Sequence, residues 1–292
     1  MQIVDSRQRL SPTLSSTACA CSTCTARCCI EYTVTVTGYD VWGIVSGLKL
    51  APQQFLVYSQ ATSNVAGAFK LDQSGNAFDI ALDKVRDDRQ YKPCIFLAEL
   101  PGGGGRCGIH AFRPHVCQTY PALTEDSIVA LRKDVLCPTG AWKLVHMNVG
   151  AWQDQIHEFV LHRDIYEYVV QLWNRRVDSA LPGTRYSIDT YYDFLLNFYQ
   201  RLAVITTVLS ENSWIEIVKE WNVNRSTHVL IGDEQDSIQT KSACLAKFCR
   251  DLERLLKRFK PSVKQDSLSE KQNINSNWLA RGKPDNSLAV ST

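Results

Sequence analysis

The hydrophobic pattern changes character near residue 150. Before that point apolar residues come in short runs. Tyr32 to Thr37 is rich in threonine and valine, as a strand is, Asp40 can cap a short helix through Leu50, and Ala51-Pro52 opens another through Gln60, because proline is tolerated in a first helical turn. FKLDQSGNAFDIAL then sets Ser-Gly-Asn between two short alternating segments, which is a hairpin signal. A second hairpin is expected over CIFLAELPGGGGRCGIH, where two strand-like pieces flank a loose turn of four consecutive glycines. A phosphate-cradling loop would need a strand before, a helix after and a Lys-Ser/Thr sequel, and those are missing here.

Beyond residue 148 the period becomes helical. Trp152, Ile156, Phe159, Val160, Val169, Val170, Trp173 and Val177 share one face of a helix expected from Val149 to about Val177. Leu181-Pro182-Gly183 breaks it, and Ser187 caps a second helix with Tyr191, Tyr192, Leu195, Leu196, Tyr199 and Leu202 on its apolar side. SWIEIVKEW, after Asn212, is a third helical segment. The last, Lys241 to Lys260, gathers Leu245, Phe248, Leu252, Leu255, Leu256 and Phe259 on a stripe with most of its basic residues outside. That basic face reads as solvated, with contact to an acidic partner or nucleic acid as the rarer use.

The fold class expected is α+β: a small metal-stabilised cysteine-cluster domain with short strands, followed by an all-α helical region. Four segments follow: a flexible leader at 1–18, the cysteine-cluster metal-binding domain at 19–148, a helical domain at 149–260 and a polar, disordered tail at 261–292.

Composition narrows the class without deciding the function. At 292 residues, 45% apolar and 21% charged, the chain can bury a substantial core and has the length of about two domains. A net charge of +2 gives no bulk signal for nucleic-acid binding. Apolar runs such as Ala203 to Leu209 fall far short of the roughly 20 residues a membrane span needs, so no membrane association is expected. Residues 1–18 lack the apolar middle of a secretory signal, which argues for a cytoplasmic protein. No nucleophile sits in a Ser-His-Asp or Cys-His motif. The helical half is a candidate surface for a protein partner, and the sequence gives no oligomeric state.

The chemistry lies in the cysteines. Nine of the eleven fall between Cys19 and Cys137. A disulfide framework is the competing reading, but such frameworks typify small secreted domains, whereas dense cysteines in a cytosolic chain more often mean metal or redox chemistry. In Cys21-x2-Cys24-x3-Cys28-Cys29 the first pair lets two thiolates converge on one metal. In an extended segment Cys28 and Cys29 would point to opposite faces, implying two metal positions, or one and a spare thiol. Cys94, Cys107, Cys117 and Cys137 bring the candidate ligands to eight, which suits two four-coordinate sites. Cys19 reads as a spare, and Cys244 and Cys249, five residues apart on a helix, as core fillers. Arg106 and Arg113 would lower thiolate pKa values and offset the charge of a tetrathiolate site. Arg113 serves equally well as a helix-start ion-pair partner. His110 and His115 are read as supporting or surface residues, although zinc also takes histidine.

CSTCTARCC at Cys21 to Cys29, Cys94-Ile-Phe-Leu97, Arg106-Cys-Gly-Ile-His110, Arg113-Pro-His-Val-Cys117-Gln-Thr-Tyr-Pro121 and Cys137-Pro138 together resemble the CxxCxxCC family of zinc- or iron-chelating domains, the YkgJ-type cysteine-cluster proteins. Flagellin lysine N-methylases are related to that family. The likeness runs from about Cys19 to Pro138, with the Cys94–Cys107 stretch lengthened by glycines and His110 where the family often has tyrosine. It implies metal chelation, by an iron-sulfur cluster or by zinc, with the cluster favoured. The order Cys-x2-Cys-x3-Cys is the reverse of the radical S-adenosylmethionine spacing and differs from that of bacterial ferredoxins, though Cys137-Pro138 echoes the latter's last step. The function expected is a cytosolic cysteine-cluster protein acting as a redox or regulatory module. A lysine N-methylase-like enzyme and a structural-zinc interaction module without catalysis are the alternatives.

Overall fold

In the computed structural model the described residues are 26–61, 67–85, 92–101, 104–125, 128–138, 141–142 and 148–208. All of them belong to one compact unit. The leader, Cys19, Cys21, Cys24, the helices expected after Asn212 with Cys244 and Cys249, and the tail lie outside the described residues.

The first element is a single helical turn, α1 (Arg27–Glu31), where a cysteine-dense loop was expected. The residues after it are extended but form no full strand. Thr35 bridges Ala81, the Leu82 amide donates to Val34 at 2.9 Å, and the Val36 amide donates to Ile80 at 3.3 Å. Helix α2 (Gly38–Leu48) starts three residues earlier than an Asp40 cap would place it. Thr37 is the cap, and Asp40 reaches back to the Thr37 amide at 2.9 Å in a reciprocal capping box.

The helix expected from Pro52 to Gln60 is not there. Proline supports only a single 3-10 turn, Pro52–Gln54, after which Leu56–Gln60 is strand β1. Its Leu-Val-Tyr-Ser-Gln finds a partner in β3 (Ala77–Leu82), with Leu56 opposite Leu82 and Gln60 opposite Phe78. Long-range pairing overrides the local helical signal. The first expected hairpin is present: β2 (Phe69–Lys70) pairs antiparallel with β3, giving sheet order β1-β3-β2. So is the second, β4 (Leu97–Leu100) with β5 (Gly104–Cys107). Here two of the four glycines belong to the strand rather than to a loose turn. A Cβ on Gly105 would lie 2.5 Å from the Ala26 Cβ, so this strand can press against the segment leading into α1 only as glycine. Helix α3 (His115–Thr119) and a third hairpin, β6 (Ala122–Glu125) with β7 (Ile128–Leu131), complete the mixed α+β half.

The two long helices match their pattern. Helix α4 (Val149–Asp178) begins on the Asn148 cap, and α5 (Ile188–Val208) follows Ser187, whose Oγ accepts from the Thr190 amide at 3.2 Å. Trp152, Ile156, Val169, Val170, Trp173 and Val177 are buried on α4, as are Tyr191, Tyr192, Leu195, Tyr199 and Leu202 on α5. Phe69 of β2 stacks on Tyr191 with ring centroids 3.9 Å apart, and Trp173 packs edge-on against the same tyrosine. Polar hooks then fix β2 to α4. The Asn174 side chain accepts from the Lys70 amide at 2.9 Å and donates to Ala68 at 3.0 Å, while Trp173 Nε1 donates to Lys70 at 2.7 Å. Helix α2 meets α5 closely enough that a Cβ on Gly38 would overlap the Tyr199 ring at 2.2 Å. No helix among the described residues is long and apolar enough to cross a membrane.

Candidate metal centre

Three short elements bring cysteines to one place. In α1, Cys28 and Cys29 are helical rather than extended, so the two side chains diverge by about 100° instead of pointing oppositely, and both reach the same cavity. Cys94 follows Pro93 and donates its amide to Cys29 O at 2.8 Å, tying the entry to β4 to α1. Cys107 closes β5, and Cys117 lies on α3. These five cysteines line a cavity of about 340 Å³, with Arg106, Arg113, Arg132 and His110 also in its wall. The six described cysteines, Cys137 included, are free thiols.

Lysine 84 holds the arrangement from behind. Its Nζ donates to Cys29 O and Ile30 O at 3.1 Å each and to Tyr32 O at 2.6 Å, capping the carbonyls at the end of α1 with a positive charge. On the other side Tyr32 and Tyr120 stack edge to face at 5.7 Å. Tyr32 Oη donates to Asp134 O at 2.7 Å, and Tyr120 Oη accepts from the Leu136 amide at 2.7 Å. The segment that leads to Cys137 is thereby drawn to the cavity's edge, although Cys137 itself is not in the wall.

The thiols interact electrically. A hydrogen bond from Cys29 holds the Cys28 thiol down to about 7, with Arg113 helping, and the same bond together with burial pushes Cys29 up. Burial raises Cys94, Cys107 and Cys117 as well. Negative charge on Cys94, Cys107 or Cys28 would raise Cys117 further, so each thiolate formed makes the next harder to form. Only a cation among them lets the set ionise together. His110 is pushed down by burial and then by Arg113 and Arg106, and so stands neutral beside them.

The residues present fit a metal or cluster held by sulfur. The donors are soft thiols, which suit zinc or iron-sulfur groups. Arg113, a residue of the cavity wall, has its Nε buried without a hydrogen-bond partner among the described residues, a donor left for an acceptor the chain does not itself supply. Of the eight cysteines singled out from sequence, five come together, Cys137 stands nearby, and Cys21 and Cys24 lie outside the described residues. His115 does not line the cavity. It is buried, with Nδ1 and its amide on Asp40 Oδ1 at 2.8 and 2.9 Å. Nothing in the sequence marks Lys84, Tyr32 or Tyr120 for these contacts. Lys84 acts across more than fifty residues of chain and leaves no local signature.

No curated protein and no solved structure matches the chain. A family model does match, over residues 20–138: that of the CxxCxxCC family, described as a "putative zinc- or iron-chelating domain". The matched span holds all eight candidate cysteines and every wall of the cavity, and it stops short of α4. Over residues 20–138, less than half of its length, the chain is thus similar to the CxxCxxCC family of zinc- or iron-chelating domains.

Proposed function

We propose that the cavity is a metal centre carrying an iron-sulfur cluster, and that the protein serves as a redox or regulatory module. Cys28, Cys29, Cys94, Cys107 and Cys117 are the ligand pool in the wall, with Cys21, Cys24 and Cys137 available to complete it. The observation that carries the reading is the convergence of five thiols whose burial and mutual repulsion oppose joint ionisation unless a cation is present. Thiolate-only ligation without an obligatory histidine is compatible with a polynuclear cluster.

When bound, such a cluster supplies one-electron transfer. The chain's own residues set the terms. Arg113 offers Nε to sulfur, Arg106 and Arg132 add positive charge to the wall, and together they favour the more negative, reduced state and so raise the potential. Phe96, Leu97, Ile109 and Val116 keep much of the wall apolar and limit water.

The test is full-length protein isolated without oxygen. A brown sample whose broad visible band bleaches on reduction, with iron matched by acid-labile sulfide, supports the cluster. Colourless protein with stoichiometric zinc and no sulfide overturns it and moves the function to structural zinc in an interaction module, because zinc closed by four thiolates has neither redox chemistry nor an open position.

A further inference from the structure

Outside the cavity, three side chains on the far side of α3 form a second group of ligands with different chemistry. Glu158 and His162 lie one turn apart on α4 and share a face. His115, the first residue of α3, comes toward them, and the ligand atoms of all three lie within 4.8 Å of one another. His162 is 1% exposed and His115 6%, and the nearest His162–Glu158 approach is Nε2 to Oε1 at 3.7 Å. None of the three lines the thiol cavity.

We propose that His115, Glu158 and His162 bind a divalent first-row metal ion, zinc or ferrous iron, at a site separate from the cysteines. Two imidazoles and a carboxylate are the donor set such ions take when sulfur is not used. Closing the ligand atoms from 4.8 Å to the spacing that bonds of about 2.0–2.2 Å require takes about an ångström of side-chain movement.

The surroundings are built for the ion. Asp40 Oδ1 accepts from His115 Nδ1 at 2.8 Å, the carboxylate–histidine pairing of metal-binding imidazoles, in which the other ring nitrogen, Nε2, takes the metal. Asp40 is itself held by the Thr37 amide at 2.9 Å, the Thr37 hydroxyl at 2.8 Å and the His115 amide at 2.9 Å, so its position is set by the α2 capping box. Tyr39 stacks on the His162 ring at 3.8 Å, and the Phe159 ring lies parallel to that of His115 at 6.4 Å, giving the group apolar walls. Asp40 and Glu158 bring two carboxylates to the group, the charge complement of a divalent ion. Helix α3 would then join two metal sites, His115 toward one and Cys117 in the wall of the other.

The experiment uses the full-length protein with its thiol centre as isolated, saturated with Co(II) alone and desalted, followed by a count of total bound metal and an absorption spectrum. Wild type should hold one more equivalent than Glu158→Gln and His162→Gln, each of which should weaken that equivalent at least about 10-fold. Any cobalt in it should show weak ligand-field bands without thiolate-to-cobalt charge transfer, and Cys107→Ser should retain it. Unchanged thiol-bound metal in the Glu158→Gln and His162→Gln samples controls for folding, since Glu158→Gln preserves shape. Equal metal totals in wild type, Glu158→Gln and His162→Gln, or charge-transfer bands for the extra equivalent, would overturn the site and leave a hydrogen-bonded histidine–carboxylate cluster. Neither outcome depends on whether the thiol cavity holds a cluster or zinc.

Discussion

The face where β2 meets α4 and α5 and the wall of the thiol cavity are built on opposite principles. The first is aromatic and closed: Phe69, Trp173, Tyr191 and Leu195 are fully buried, and the polar groups among them are paired across the interface. The second is made of elements four or five residues long, Arg27–Glu31, Gly104–Cys107 and His115–Thr119, around a space rather than a packed core. Its walls are held by Lys84, two tyrosines and backbone bridges, and its thiols resist ionisation in one another's company. A region that repels itself unless a cation is bound derives part of its folding free energy from the ligand, whereas one filled by its own side chains does not.

The largest effect expected within the chain lies on the packed side. Trp173→Ala removes a fully buried indole and its bond to Lys70 O, and should cost about 3–5 kcal/mol in denaturant unfolding, with metal content per folded molecule unchanged. Loss of metal at constant stability would break the contrast. On the thiol side Lys84→Met should lower metal affinity about 10- to 100-fold, measured by competition with a chelator, because the α1 carbonyls lose their common donor. Partial recovery in Lys84→Arg would show that positioning, not folding alone, is at stake.

The pH dependence sharpens the same contrast. Of the five cysteines in the cavity wall, Cys29, Cys94, Cys107 and Cys117 are raised in the folded protein and Cys28 is lowered. Raised thiols favour the fold while protonated in both states, and that contribution is lost as pH climbs past the unfolded thiol value, about 8.5. Metal-free protein should therefore lose stability above about pH 8.5 in thermal melts, while the loaded protein, whose thiolates are already ionised, should not. Smallest is Thr37→Ala, which removes the α2 cap and one of the donors on Asp40, and should cost about 1 kcal/mol by thermal denaturation.

Periodicity made the two long helices legible, because their buried faces repeat over many turns, and turn chemistry did the same for the β2–β3 hairpin. The cysteine motifs pointed to the metal-binding segment. What stayed hidden depended on partners distant in sequence. Leu56–Gln60 is a strand only because β3 lies beside it, and β6–β7 is too short for its alternation to stand out. The vicinal cysteines sit on a single helical turn rather than an extended segment, and one turn has too few residues to show a period in the sequence. His162 did leave a signal: a histidine on the apolar stripe of α4, one turn beyond a glutamate.

The central claim is that metal organises the thiol wall and not the packed core, and amide hydrogen exchange of full-length protein before and after anaerobic metal removal tests it most directly. The expected result is faster exchange in Arg27–Glu31, Gly104–Cys107 and His115–Thr119 after removal, with β3 and the Trp173 turn of α4 still protected. Unchanged protection along the thiol wall, or equal loss of protection in both regions, would contradict it.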